Sequence, residues 1–378
     1  MRRTLFKLHS YSALIALIPL IIVSITGSIL VFKTEIDQLL MPNSAALPYH
    51  QQADVMFVRQ NHNVLQAHVE QTFPEYIVGA WEVFTDGQEA DRVYLVKKGT
   101  DDWFKVYFDP HANQVLSEPV STTSYLTDWL LNLHYTFLLN GIGDEHSQWG
   151  TIIGLIAALI LTFLGISGLI IHRKFWLNLF NLRLHKNMRV FSGDLHRLIG
   201  AWASPVILIL GVTGIYFNAL EYYHEVFEHP SDEHYYPTEA LYDPSIDFQA
   251  LIDDSQSQLE AFTPTYLLYP YEPEVHFTVF GHQPRANPFA SDYSSTVTYD
   301  RESGALMAAI DGRDANAVIK VTDSFRELHF GSFGGLISKI IWCILGLSPL
   351  ILGITGVYIW QHRRSKKKRS NLVYSPSQ

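Results

Sequence analysis

The sequence predicts a polytopic α-helical membrane protein, with a four-helix transmembrane bundle from an internal parallel duplication and two small α+β lobes outside the membrane. Three observations support this fold class. Only 17% of the 378 residues are charged, whereas soluble domains carry about 25%. Four apolar stretches reach the roughly 20 residues that a helix needs to cross the hydrocarbon core, at about 10–32, 151–171, 194–217 and 336–361. The two halves of the chain also repeat the same features.

The distribution of charge predicts how these spans are oriented. The segments 1–9, 173–197 and 362–378 hold 15 of the 27 Lys and Arg residues and a single acid, Asp194. The remaining 12 basic residues face 36 acids in two long intervening regions. By the positive-inside rule, the termini and the central loop are expected to be cytoplasmic.

The predicted segments follow from this orientation. They are a cytoplasmic start and first span (1–32), a first outer lobe (33–150), a second span (151–172), a cytoplasmic loop (173–193), a third span (194–217), a second outer lobe (218–335), a fourth span (336–361) and a basic cytoplasmic tail (362–378). The basic start and the small residues near 43–46 also fit a cleavable signal peptide, but the long apolar run favours an uncleaved anchor.

The internal repeat places histidines and small-residue motifs at corresponding positions. Span 1 runs from His9 to Thr26-Gly27 and span 3 from His196 to Thr213-Gly214, so histidine and glycine are 18 positions apart in both. Each span precedes a helix-like stretch, strand-like runs, a Leu-His pair and a last span with a Gly-x-Ser/Thr-Gly motif. These paired features are 54–73 and 246–262, 93–116 and 276–306, Leu133-His134 and Leu328-His329, and 165–168 and 353–356.

Helix geometry predicts that the histidines form two pairs. Eighteen residues at 1.5 Å each cover about 27 Å, so His9 and His196 lie at the cytoplasmic face. His134 and His329 precede spans 2 and 4 on the outer side. At each face, two histidines are expected to share a level with two glycine motifs from the other helices.

This pattern suits two haem groups. A bis-imidazole haem needs two neutral imidazoles on opposite sides of its iron, and the pairs His9/His196 and His134/His329 are the predicted axial ligands. Glycines in the neighbouring helices would leave room for the porphyrin edge, and the Thr or Ser hydroxyls could bond back to the helix or to a propionate. These glycines are Gly27, Gly168, Gly214 and Gly356.

The cofactor prediction leaves alternatives open. Cys343 is the single cysteine and no C-x-x-C-H motif exists, so the haem would be non-covalent haem b. His172, His362 and His185 could compete on the cytoplasmic side, and His146 on the outer side. Glycine motifs in membrane helices also serve helix packing, and histidines at helix ends also face lipid headgroups.

The sequences "LHRLIGAWASPVILILGVTGIYF" (195–217) and "LHFGSFGGLISKIIWCILGLSPLILGITGVYIWQHRR" (328–364) resemble the PepSY-associated transmembrane family. The resemblance extends from His9 to Arg364 and includes the four predicted ligands and the small-residue motifs. It implies an inner-membrane protein with paired PepSY-like lobes in the periplasm. The family includes proteins encoded with iron uptake and haem-containing reductases of ferric siderophores.

Two functions from different classes therefore remain. The first is a diheme b-type reductase that takes electrons from a quinol or a cytoplasmic flavoprotein and passes them to a periplasmic acceptor, a ferric siderophore above all. It requires no catalytic protein residue, and the chain has no G-x-G-x-x-G fingerprint for a nucleotide of its own. The alternative is a non-enzymatic membrane-anchored PepSY module that binds or inhibits a periplasmic partner. Nucleic acid is not an expected partner. A transporter is disfavoured because the spans are expected to have neither the broken helices nor the midplane charges that surround a substrate path.

Overall fold

The structure is a computed structural model that describes residues 2–47, 58–144, 147–184, 186–228, 235–284 and 287–373. It divides into two compact units. The first contains the apolar helices and comprises Met1–Phe32, Leu130–His229 and Leu328–Gln378. The second contains the β-sheet and comprises Lys33–Trp129 and Pro230–Glu327. The predicted end of the first span, residue 32, coincides with the first change between the units.

The described part of the chain contains eleven α-helices. They are α1 (Arg2–Ile15), α2 (Leu17–Leu30), α3 (Lys33–Leu40), α4 (His62–Thr72), α5 (Leu126–Thr136), α6 (Trp149–Ile171), α7 (Met188–Tyr223), α8 (Phe248–Gln258), α9 (Ala317–Phe330), α10 (Gly335–Gly346) and α11 (Ser348–Val373). A 3₁₀ turn at Phe175–Asn178 and a π-helical turn at His224–Glu228 flank α7.

Among the described residues, three helical stretches are long and apolar enough to cross a membrane. They are Trp149–Ile171, Met188–Phe227 and Gly335–Ser365. The pair α1 and α2 gives a fourth crossing if it counts as one span, but it bends by 65°. The protein is therefore a membrane protein with three or four spans.

The bend in the first span has a local cause. Pro19 has no N–H to donate to the carbonyl of Ile15, and its ring would clash with that carbonyl in a continuous helix. Helix α1 accordingly ends at Ile15 and α2 begins at Leu17, which leaves Pro19 in the first turn of the new helix. Pro349 acts in the same way on the break between α10 and α11. The sequence prediction that the spans contain no broken helix is therefore wrong for the first span.

Small residues bring α6 and α7 close together. A β-carbon at Gly211 would collide with Thr162 on α6, and one at Gly165 would lie 2.9 Å from Leu208 on α7. Close approach of this kind provides van der Waals contact between membrane helices, for which burial of apolar surface offers no driving force. Part of the glycine pattern therefore serves helix packing.

Within the described residues, nine antiparallel strands form one sheet in the second unit. They are β1 (Tyr76–Glu82), β2 (Asp91–Lys97), β3 (Trp103–Asp109), β4 (Gln114–Val115), β5 (Val120–Ser121), β6 (Thr263–Leu268), β7 (Phe277–His282), β8 (Ser295–Tyr299) and β9 (Leu306–Ile310). The strand order is β4-β3-β2-β1-β6-β7-β8-β9, and β5 pairs with β3. Alternating burial in β7 and β8 is typical of strands with one face on a core.

The sheet core contains side chains from both outer segments. Leu65 and Val69 on α4 share it with Trp81, Leu267 and Phe277 from the strands. The sequence predicts two separate lobes, whereas the structure joins them by pairing β1 with β6, with Trp81 opposite Leu267. Each of the two chain segments of this unit contributes one helix followed by four neighbouring strands of the sheet. The first segment provides α4 and β1–β4, and the second provides α8 and β6–β9.

A buried charge network lies in the same unit. Lys105, 4% exposed, contacts Asp128 at 2.6 Å, and Lys33 contacts Asp37 at 2.8 Å and Asp128 at 2.7 Å. The Thr127 hydroxyl donates to Asp37 at 2.5 Å. Two lysines and two aspartates balance in charge, so each buried carboxylate has a cationic partner.

Candidate functional site

Two histidines on α5 and α9 face each other. The ring centroids of His134 and His329 are 6.3 Å apart, with an angle of 68° between the ring planes. Nδ1 of His134 lies 2.9 Å from the hydroxyl of Thr26 on α2, and Nδ1 of His329 lies 2.7 Å from the hydroxyl of Thr213 on α7. Each histidine is half-buried. A residue from a second helix therefore fixes each ring.

The other predicted pair makes the same type of contact. Nδ1 of His9 on α1 lies 2.8 Å from the hydroxyl of Ser167 on α6, and Nδ1 of His196 on α7 lies 2.9 Å from the hydroxyl of Thr355 on α11. The four histidines thus share one arrangement, in which a hydroxyl from another helix binds Nδ1.

The threonine hydroxyls determine which ring nitrogen carries the proton. Each has a single proton, which it donates to the carbonyl four residues earlier in its own helix: Thr26 to Ile22, Thr213 to Ile209 and Thr355 to Ile351, all at 2.8 Å. The hydroxyl oxygen can then only accept from the imidazole, so Nδ1 is protonated.

This tautomer leaves Nε2 with a free lone pair. A neutral imidazole protonated at Nδ1 is a metal ligand through Nε2, and a hydrogen bond from the other nitrogen orients the ring and raises its basicity. His134, His196 and His329 are in this state. The Ser167 hydroxyl is 3.4 Å from the carbonyl of Leu164 in its own helix. Of the four bonds from these hydroxyls to helix carbonyls, the one made by Ser167 is therefore the weakest.

Three of the four predicted glycines lie beside these imidazoles. A β-carbon at Gly27 would be 2.9 Å from Cε1 of His134, one at Gly168 would be 3.6 Å from Cε1 of His9, and one at Gly356 would be 3.5 Å from Cε1 of His196. At Gly214 the nearest atom would be Cβ of Ala158, at 3.3 Å. Glycine therefore admits an imidazole at three positions and a neighbouring helix at the fourth.

The hydroxyl–imidazole contact is the feature that the sequence interpretation missed. Thr26, Ser167, Thr213 and Thr355 were expected to bond to their own helix or to a propionate, and the structure assigns them to the histidines as well. The signal was present in the sequence, because each hydroxyl residue directly precedes one of the four glycines.

Of the alternative histidines, two lie among the described residues. His172 is the residue after α6, and its backbone N–H donates to the carbonyl of Gly168 at 2.9 Å. The ring of His362 packs on that of Tyr358 at 4.6 Å. His146 and His185 lie outside the described residues. The tyrosine-rich stretch 266–277 contributes Tyr269 to the sheet core, where it is fully buried.

The predicted haem needs only two ligands from the protein. Among the described residues there is no group of three or more His, Cys, Asp or Glu side chains suited to a metal ion. A porphyrin supplies four ligands itself, so two imidazoles are sufficient. Two imidazoles bound to one metal ion by bonds of about 2 Å have ring centres about 6 Å apart, and His134 and His329 are 6.3 Å apart. The separation of His134 and His329 therefore fits two imidazole ligands of one metal ion.

Aromatic side chains lie beside the pair His134 and His329. The rings of Phe217 and Phe330 approach His329 edge-on, at 5.4 Å and 6.0 Å between centroids. Apolar surroundings of this kind limit the access of water, which is one of the levers by which a protein tunes a bound metal group.

These features define the class of the protein. It is a polytopic membrane protein that also contains an antiparallel sheet unit. The chain belongs to the PepSY-associated transmembrane family, since the model described as "PepSY-associated TM region" matches residues 6–363. The resemblance inferred from the sequence is thus confirmed.

A Pseudomonas aeruginosa protein with the name "Uncharacterized protein PA4219" is 32% identical over 87 residues, which are 23% of this chain and 20% of that protein. The match thus spans about a fifth of that relative's length.

Proposed function

We propose that this protein is a diheme b-type reductase of the bacterial inner membrane, which passes electrons to a ferric siderophore in the periplasm and releases its iron. The observation that carries the proposal is the Nδ1–hydroxyl contact shared by all four histidines. In His134, His196 and His329 this contact leaves Nε2 available as a ligand. His9 with His196 would hold one haem b, and His134 with His329 the other.

The chain's own residues would bind and orient the two groups. Thr26 and Thr213 hold the imidazole planes of the outer pair, His134 and His329. Ser167 and Thr355 hold those of the inner pair, His9 and His196. When bound, each haem would supply reversible one-electron chemistry. The protein contributes ligation, spacing and exclusion of water, and no acid, base or nucleophile is needed.

Repeated contacts support an internal duplication and a four-helix bundle as part of this proposal. The contact of His9 with Ser167 recurs as that of His196 with Thr355, and the contact of Thr26 with His134 recurs as that of Thr213 with His329. In this arrangement α1–α2 form the first span and the symmetry axis follows the membrane normal.

The direction of electron flow follows from the proposed topology. The basic segments 1–9, 173–197 and 362–378 support a position of His9 and His196 at the cytoplasmic face. A quinol or a cytoplasmic flavoprotein gives up the electron, and one ferric ion of the chelate outside accepts it and becomes ferrous. Ferrous iron is held less tightly by hard oxygen donors, so the metal leaves the siderophore.

Haem content is the primary test. Protein purified in detergent from haem-replete cells should contain about two haem b per chain, with six-coordinate low-spin spectra. His9→Ala and His134→Ala should each remove about one haem, whereas His276→Ala in the sheet unit should retain both. A preparation without a Soret band would overturn the reductase and favour the partner-binding module.

Electron transfer is the second test. Dithionite-reduced protein, freed of excess reductant, should be reoxidised by a ferric hydroxamate chelate, with ferrous iron appearing in a colour-forming trap. The gallium(III) complex of the same hydroxamate is the control, since gallium(III) has the same charge but accepts no electron here. Reoxidation at the same rate by the gallium complex would contradict the proposed acceptor.

A further inference from the structure

The segment that connects α6 to α7 exposes large apolar side chains together with basic ones. Its apolar residues Trp176, Leu177, Phe180 and Leu184 are exposed by 59%, 67%, 82% and 65%. Its basic residues Arg173, Lys174, Arg183 and Lys186 are exposed too. Exposed apolar groups in such a cluster mark an interaction surface. We call residues 173–184 and 186–189 the connecting segment.

Contacts with α7 place this segment beside an apolar span. The indole N–H of Trp202 donates to the carbonyl of Leu179 at 3.0 Å, and the rings of Trp202 and Phe180 are 5.6 Å apart. Trp202 lies six residues beyond His196, inside the stretch that is apolar enough to cross a membrane. The segment therefore folds back along α7 instead of projecting away from it.

Among the described residues, most basic side chains of the segment lack an acidic partner. Asp194 is the single acid in residues 173–197, and its carboxylate already binds Arg183, at 2.7 Å, and Arg197. In the described part of the chain, no ion pair is formed by the other four basic side chains, which are Arg173, Lys174, Lys186 and Arg189. These cations are available to an anionic surface.

We propose that the connecting segment is an interfacial anchor that binds anionic phospholipid, with Trp176, Leu177, Phe180 and Leu184 inserted among the upper acyl chains. Basic residues beside exposed aromatic and aliphatic ones are the pattern of segments that lie in the membrane interface. Each Lys or Arg adds attraction to an anionic leaflet. Phe180 packs against Trp202, which is itself 50% exposed on the apolar helix α7. The apolar surface of the segment therefore continues onto an exposed part of a spanning helix, which favours lipid over a soluble protein as the occupant. This inference is independent of the proposed electron transfer.

Insertion can be tested through Trp176. Full-length protein and Trp176→Phe are reconstituted into liposomes whose lipids are brominated near the top of the acyl chains. Subtraction of the two fluorescence signals isolates Trp176, which should be quenched by the bromine and protected from aqueous acrylamide. Trp103→Phe, a change in the sheet unit, is the matched control and should give a difference signal without bromine quenching. Quenching of Trp176 by acrylamide alone would overturn the anchor and leave the surface for a soluble partner.

Lipid selectivity is tested with charge variants. Spin-labelled phosphatidylglycerol should be enriched over phosphatidylcholine around the parent protein at low salt. Two double variants, Arg173→Gln/Lys174→Gln and Lys186→Gln/Arg189→Gln, should each lose most of this preference, and each retains basic residues that maintain the orientation of the spans. Lys97→Gln/Lys98→Gln in the sheet unit is the control and should behave like the parent. An unchanged preference in both double variants would contradict the proposal.

Discussion

The imidazole of His134 lies against the backbone of Gly27, and a β-carbon at that glycine would be 2.9 Å from Cε1 of the ring. The adjacent residue, Thr26, binds Nδ1 of the same ring. Two successive residues of α2 thus set both the distance and the rotation of the imidazole. The same pairing of a hydroxyl residue with glycine occurs at Ser167-Gly168 and Thr355-Gly356.

Gly27→Ala should displace His134 and remove about one haem per chain. Alanine normally stabilises a helix by roughly 0.5–1 kcal/mol relative to glycine, so any loss would come from the imidazole contact. Gly168→Ala is the control, because its β-carbon would lie 3.6 Å from His9, an ordinary contact distance. The haem-to-protein ratio of both variants is the measurement. Equal ratios in the two would rule out the close contact at Gly27 as a constraint on binding.

Thr213→Val should weaken the outer haem site while leaving the fold intact. Valine has a similar volume but cannot accept from Nδ1 of His329, which normally binds Thr213 at 2.7 Å. Loss of such a partner typically lowers metal affinity by about 10- to 100-fold. The rate of haem transfer to excess apomyoglobin measures this effect. Thr213→Ser restores the hydroxyl and should restore slow release; serine behaving like valine would mean that the hydroxyl is not the cause.

Asp128→Asn should destabilise the sheet unit strongly. It removes the carboxylate charge that neutralises Lys105, which is 4% exposed, and such a break typically costs about 3–5 kcal/mol. Asp311→Asn disrupts an ion pair with the more exposed Arg313, for which about 0–1 kcal/mol is expected. Thermal unfolding of the full-length protein, followed by tryptophan fluorescence, compares the two. Similar shifts in the two variants would show that the buried network is not required.

Glu82 should make the sheet unit sensitive to acid. Burial alone would raise its pKa, but the Arg92 guanidinium, at 2.9 Å, outweighs that effect together with Arg326 and the Tyr293 hydroxyl, so the pKa lies below the ordinary value of 4.5. A carboxyl with a lowered pKa in the folded state adds stability above its unfolded pKa and loses it as the pH falls through the folded value.

The measurement for Glu82 is the unfolding temperature as a function of pH. It should fall below about pH 4.5 in the parent. In Glu82→Gln the unfolding temperature should be lower at neutral pH and depend less on acid, because the carboxylate contribution is already absent. If the slopes of the two proteins below pH 4.5 are the same, another carboxyl is responsible.

Local rules predicted much of the arrangement of the histidines. The 18-residue spacing from His9 to Gly27 and from His196 to Gly214 assigns levels along a helix, and the structure brings each histidine to a hydroxyl–glycine pair at the predicted end. Whether these residues bind haem stays a prediction. The break at Ala16 could also have been expected, because Pro19 excludes a helical hydrogen bond to Ile15.

Contacts between distant segments were beyond such rules. The hydroxyl of Thr213 was expected to bond to its own helix or to a propionate, and nothing local indicates that His329 approaches it. Strands β1 and β6 were not predicted as a pair, because the match of Trp81 with Leu267 depends on how two separated regions meet. Spacing within one helix or strand is local information, whereas the register between elements depends on the whole packed structure.

The pairing of β1 with β6 has a consequence for how the protein is made. The segment with β1 emerges from the ribosome first, and two membrane spans follow before β6 is synthesised. Until β6 is made, the edge of β1 that will pair with it has no partner. An open strand edge of this kind can pair with other chains. Completion of the sheet must therefore wait for insertion of the second and third spans. We expect truncation before β6 to give an aggregation-prone nascent chain rather than a stable half-protein.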